Sequence, residues 1–242
     1  SINGVLPPAG AGVDAASAVG KGAAMSLLLW SHPYAAYGQK AAIALYELDL
    51  PFELKLVDGA PEVQSAFAEV SPFAKMPVLV DRAAGRTVFE SSIVVEYLDR
   101  LAGGGRLIPA DPEAALEARL IDRIVDTYVG GPMGRIVFHR LGRAGPAPEA
   151  VMALDARDIE TAWDLLERRL EDGRTWGAGE SFTLADCAAA PILTYARRLV
   201  PFGARPRVRA WHARLLARPS FVRALEDAAP FGDLMPAPAA TD

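Results

Sequence analysis

Glu90 and Ser91 stand where a strand-like run, TVFE, gives way to a helical one, SSIVVEYLDRLA. A serine at such a junction can cap the helix while its backbone N–H and the helix N-terminus face an anion, so the pair suits a carboxylate. Upstream, Met76 and Pro77 within SPFAKMPVL mark either a tight turn or the start of an edge strand, and the residues alone leave both open. Ser31, His32, Tyr34 and Tyr37 supply hydroxyl and imidazole groups between a first strand and a first helix. Thr183 and Asp186 have the spacing of a capping box, a folding device and not a reactive pair.

Other chemistries are excluded by residues that are scattered or missing. His32, His139 and His212 lack ligand spacing, so neither a metal site nor a Ser-His-Asp arrangement is signalled. Cys187 is the single cysteine, which removes any disulfide framework and fits a reducing, cytoplasmic setting. It adjoins AAA in an apolar run and reads as a small buried hydrophobe, not a nucleophile. Lys plus Arg total 25 against 30 Asp plus Glu, a net charge of -5 without any basic run, which argues against nucleic acid as a partner. No apolar run approaches the roughly 20 residues of a membrane span.

The candidate groups need elements to hold them. LLLW at 27–30 predicts a short strand, followed by the loop SHPY and by AAYGQKAAIALYEL, whose apolar residues recur at helical spacing. FELKLV at 52–57 predicts a strand, and PEVQSAFAEV at 61–70 a helix with Pro61 in its first position. PVLVD and TVFE, joined by the turn RAAGR, predict a hairpin, and SSIVVEYLDRLA at 91–102 a closing helix. The order over 26–102 is βαβαββα. GGGRLIPADP at 103–112 is a linker, after which strand signals stop and helical spacing continues over 113–230. Residues 1–25, rich in Gly, Ala and Pro, read as a disordered leader or tag, and 231–242 as a disordered tail. With 51% hydrophobic and 23% charged residues, the chain as a whole has the apolar content of a folded core.

This α/β half followed by an all-α half resembles the cytosolic glutathione transferase family, in a bacterial-type form. The likeness covers 26–230, and four stretches carry it. LLLWSHPYAAYGQKAAIALYELDLPFE is similar to the family's opening segment, and SPFAKMPVL to its NPxGKVPxL. FESSIVVEYLDR is similar to its (E/D)S-x-x-I-x-x-YL helix, and FTLADCAAAP to its buried helix-capping motif. The resemblance implies a thioredoxin-like N-terminal domain, a C-terminal helical bundle, a homodimer, glutathione as co-substrate and no metal. It implies a cis bond at Met76–Pro77 that exposes the Met76 backbone to the cysteinyl part of glutathione, much as one strand adds to another. Ser91 would take the γ-glutamyl carboxylate, Glu90 the γ-glutamyl ammonium and Lys75 the glycyl carboxylate.

Where many family members carry an activating Ser or Cys, this chain has Ala35. A free thiol titrates near pKa 8.5, and lowering it by about 2 units takes roughly 2.7 kcal/mol. A helix N-terminus supplies about 0.3–1 kcal/mol and a charged hydrogen bond about 1.5–3. Tyr34, in the loop before the helix, is the first candidate donor and Tyr37 the second, with Ser31, His32 and first-turn N–H groups close by. An apolar electrophile is expected against the first long helix of the second half, where Tyr128, Met133, Arg135 and Phe138 recur. Gly130, Gly131 and Pro132 interrupt that helix and predict a bend or an opening beside the thiol. The expected function is conjugation of glutathione to small electrophiles, a detoxification chemistry. The alternatives are a non-catalytic scaffold acting through a protein partner and a glutathione-dependent reductase or peroxidase.

Overall fold

A computed structural model describes residues 26–145, 149–232, 234 and 235; the expected leader, 1–25, lies outside them. The first half runs β1 (Leu27–Ser31), α1 (Ala36–Glu47), β2 (Phe52–Leu56), α2 (Pro61–Val70), β3 (Val78–Asp81), β4 (Arg86–Phe89) and α3 (Ser91–Leu101). The sheet order is β2-β1-β3-β4, with β1 parallel to β2 and antiparallel to β3, and β4 antiparallel to β3. Alternation along β1 divides the interior. Leu27 and Leu29 enter the main core with α1 and α3, while Leu28 and Trp30 join Phe67 and Val78 on the α2 face.

The linker is fixed by one carboxylate. Buried Asp99 accepts the N–H groups of Gly105, Arg106 and Leu107 at 3.0, 3.1 and 2.7 Å, and Gly103, Gly104 and Gly105 all adopt positive φ to make that turn. Leu107 O then accepts Leu184 N–H at 2.9 Å, which ties the linker to the second half.

That half contains α4 (Pro112–Ile124), a π-helical segment Val125–Gly130, α5 (Gly131–Arg140), α6 (Glu149–Arg169), α7 (Leu184–Ala196), α8 (Pro206–Leu216) and α9 (Pro219–Ala228). The interruption expected at Gly130–Pro132 takes the form of this π turn, which begins at Val125 and returns to α geometry at Gly131. Nearly every residue of α7 is buried, and the run Cys187–Ala190 lets α1, α4 and the π segment approach closely. Asp186 receives Thr183 N–H at 2.9 Å, Gly177 N–H at 2.9 Å and Trp211 Nε1–H at 2.8 Å, so the expected box caps α7 and also clamps the loop before it and α8. Packed chain continues past residue 230: the Phe231 ring sits edge-on to His32 at 4.7 Å, and most of the tail expected over 231–242, residues 233 and 236–242, lies outside the described residues.

Candidate active site

Five of the expected binding residues come together around one cavity of about 220 Å³. Lys75, Met76, Pro77, Glu90 and Ser91 line it, joined by Tyr37, Ser71, Phe73, Phe89, Arg123, Asp126 and Thr127. Its first wall is the loop between α2 and β3. The Ser71 hydroxyl accepts Lys75 N–H at 3.0 Å and donates to Lys75 O at 2.9 Å, which closes the loop on itself. Ala74 bends it with a φ of 50°, and the Met76–Pro77 bond that follows is cis, as the resemblance implied.

The second wall is the β4–α3 junction, where one expectation is corrected. Ser91 is the first residue of α3 and not its cap; Glu90 occupies the cap position with φ 68° and ψ 113°, and no side chain caps the helix. The strand must turn into a helix within a single residue, and Glu90 takes the left-handed conformation that does so. Such backbone costs of order 1–3 kcal/mol in a non-glycine residue and clusters at functional sites. The uncapped first-turn N–H groups of α3 remain available to a ligand anion.

The third wall comes from the helical half. The Tyr37 hydroxyl donates to Asp126 O at 3.1 Å, so its one proton is already engaged. Burial, reinforced by the Asp126 charge, pushes that phenol well above its ordinary range and keeps it protonated. Tyr34 stands outside this lining. Its ring stacks on Tyr195 of α7 at 5.3 Å and its N–H donates to His32 Nδ1 at 3.1 Å. Burial lowers the His32 pKa, against a weaker opposite pull from Asp58, which favours the neutral ring.

The residues expected to hold an electrophile are also placed elsewhere. Tyr128 is exposed, Met133 is in the core, Arg135 grips Asp155 at 2.8 and 2.6 Å, and Phe138 lies at the surface; none of the four lines this cavity. A π turn carries an extra residue, so the positions facing inward after it differ from those a continuous α-helix would select.

Sequence reasoning missed a charged cluster below the cavity. Lys40 of α1, completely buried, donates to Asp122 at 2.5 Å, Asp126 at 2.8 Å and Ser92 Oγ at 2.9 Å. Burial pushes Asp126 upward while Lys40 pulls it down, and burial wins. The signal was present in the sequence: a lysine on the apolar face of a helix, and two aspartates at i, i+4 among Ile and Val.

Residues 29–106 match the glutathione S-transferase N-terminal domain and 149–214 the C-terminal domain of the same family. Glutathione S-transferase 3 of Zea mays is 35% identical over 208 residues, covering 81% of this chain and 91% of the maize protein. The chain belongs to the glutathione S-transferase family. Among other members, GstB of Escherichia coli is 26% identical and spans 80% of this chain and 95% of its own length. A solved glutathione S-transferase of Methylobacterium radiotolerans, in complex with glutathione sulfonate, is 30% identical with a TM-score of 0.70, covering 89% of this chain and 98% of that one. A Pseudomonas fluorescens transferase with two glutathione molecules bound is 27% identical with a TM-score of 0.73, covering 84% and 93%. Among the described residues of this transferase, no group of three or more His, Cys, Asp or Glu could hold a metal ion, and no helix is long and apolar enough to cross a membrane.

Two side chains stand near the start of α1. Ala35 holds the cap position of α1 and offers no side-chain hydrogen bond. Ser31, at the end of β1, is 2% exposed, and Gly38 lies directly over it: a β-carbon at Gly38 would stand 1.9 Å from Ser31 Oγ.

Proposed function

We propose that this bacterial-type transferase conjugates the thiolate of glutathione to small, largely apolar electrophiles, with the peptide held in the cavity of Lys75, Met76, Pro77, Glu90 and Ser91. The observation that carries the reading is the convergence of those five residues, from two separate loops, on one cavity. Lys75 faces the glycyl carboxylate, the Met76 backbone pairs with the cysteinyl unit, and Ser91 and Glu90 take the two charges of the γ-glutamyl end.

Thiol activation rests on backbone. Tyr37 spends its proton on Asp126 O, and Ser31 is sealed beneath Gly38. The first turn of α1, without a side-chain cap, would offer its N–H groups and the positive end of its dipole to the sulfur. At about 0.3–1 kcal/mol, that lowers a thiol by less than about 1 pKa unit. The enzyme therefore works with a partly ionised thiol near neutral pH, in a cytoplasmic setting that suits its single buried cysteine.

Calorimetric titration with glutathione, followed by thiolate absorbance against pH in the same sample, tests the reading. Saturable binding with a thiol pKa modestly below 8.5 is expected. Absence of binding at millimolar glutathione overturns it and leaves a scaffold that acts through a protein partner.

A further inference from the structure

Arg123 lies on α4 and belongs to none of the motif residues, yet it lines the cavity together with Glu90 and Ser91. Its guanidinium is divided between two tasks. One edge is locked into the buried cluster: Nε donates to Asp122 Oδ2 at 3.3 Å, and Nη2 donates to Asp122 Oδ2 at 3.2 Å, Asp126 Oδ2 at 2.5 Å and Ser92 Oγ at 2.9 Å. The other edge, Nη1, has no partner among the described residues, and the side chain is 56% exposed. The charges of Lys40 and Arg123 balance those of Asp122 and Asp126, so the cluster fixes the fork in place without demanding the free edge. A planar fork held on one side loses little conformational freedom when its other side meets a carboxylate.

We propose that Arg123 Nη1 binds the α-carboxylate of the γ-glutamyl group, alongside the Ser91 hydroxyl and the uncapped start of α3, while Glu90 takes the neighbouring ammonium. This deepens the glutathione reading and rests on it. Two walls of the site, the β4–α3 junction and the helical half, then read one zwitterionic head group, and the helical half contributes its cation.

The test compares glutathione with 4-aminobutanoyl-cysteinylglycine, which lacks only the α-carboxylate, by calorimetry on wild type, Arg123→Gln and Arg123→Lys. Wild type should prefer glutathione by about 10- to 100-fold, the worth of hydrogen bonds to a charged group. In both variants that preference should fall by about tenfold, with binding of the analogue nearly unchanged. Arg123→Lys keeps a positive charge beside Asp126 and guards against failure to fold, which thermal unfolding monitors. Equal weakening toward both ligands would place Arg123 in a purely structural role, or at the glycyl carboxylate, and overturn the inference. An unchanged preference overturns it as well, with the glutathione reading left standing. Failure of wild type to bind glutathione overturns both.

Discussion

In the proposed function Ala35 limits thiol activation, because a methyl group at the cap position of α1 offers no hydroxyl to cap the helix or to donate to sulfur. Ala35→Ser should lower the pKa of bound glutathione by a further unit or so, about 1.4 kcal/mol, and raise conjugation near pH 6.5 by up to tenfold. A serine cap would also stabilise the fold by about 1 kcal/mol. Ser31→Ala is the control: its hydroxyl is buried under Gly38, so the thiol pKa should not move. Thiolate absorbance of the binary complex reads both variants, and a shift in Ser31→Ala alone would assign activation to Ser31. Glu90 and Ser91 were legible in the sequence because a strand-to-helix junction is a local pattern. The left-handed backbone of Glu90 was not, since nothing in TVFESS requires it.

Helix α7 shows how one cap can organise neighbouring elements. Asp186→Ala removes the cap and leaves the buried donors of Gly177, Thr183 and Trp211 unpaired, so unfolding free energy should fall by about 2–4 kcal/mol. Urea denaturation measures it, and a loss below about 1 kcal/mol would reduce the network to an ordinary cap. The same region carries opposed pH dependences. Burial raises Asp186 to about 6, so its contribution to stability is full below its unfolded pKa and is lost as pH rises through 6. Burial, aided by Arg197, lowers His212 from 6.5 to about 4, so its contribution is present above 6.5 and is lost as pH falls toward 4. The two slopes offset one another across that window. His212→Asn should expose the Asp186 slope: relative to wild type, the variant should gain about 2 kcal/mol between pH 7 and pH 4.5. Denaturation at both pH values decides this, and parallel curves would rule out a buried neutral imidazole. The capping box was readable from four residues, whereas its bonds to Gly177 and Trp211 depend on how the loop and α8 pack.

Across the whole molecule, the two halves are joined by charge as well as by apolar packing. Lys40→Met keeps the volume of the side chain but leaves Asp122 and Asp126 buried without it, which should cost about 3–5 kcal/mol. Equal stability of Lys40→Met and wild type would show that apolar packing alone joins the halves. A second whole-molecule feature is an exposed apolar face. Ile93 on α3 and Leu116 and Leu120 on α4 flank the Arg119–Glu96 ion pair, and Phe73 meets Phe89 edge-on beside the cavity. A symmetric dimer would bury such a face. Sedimentation equilibrium should give twice the chain mass for wild type and a single chain mass for Ile93→Asp with Leu116→Asp, helix content being retained. A monomeric wild type would contradict the pairing.

The sequence by itself determined the order of elements, the linker, the junction at Glu90 and Ser91, and the capping box. Periodicity, turn chemistry and capping act over a few neighbouring residues and are therefore written locally. Only the tertiary structure decided which distant groups meet. Tyr37 finds Asp126 across 89 positions, and Lys40 finds Asp122 and Asp126 across 82 and 86. The same packing stacked Tyr34 on Tyr195, and the π turn of the long helix redirected Tyr128 to solvent. Such contacts depend on the angle and register at which two halves dock, and the spacing of residues along one helix carries no record of that geometry.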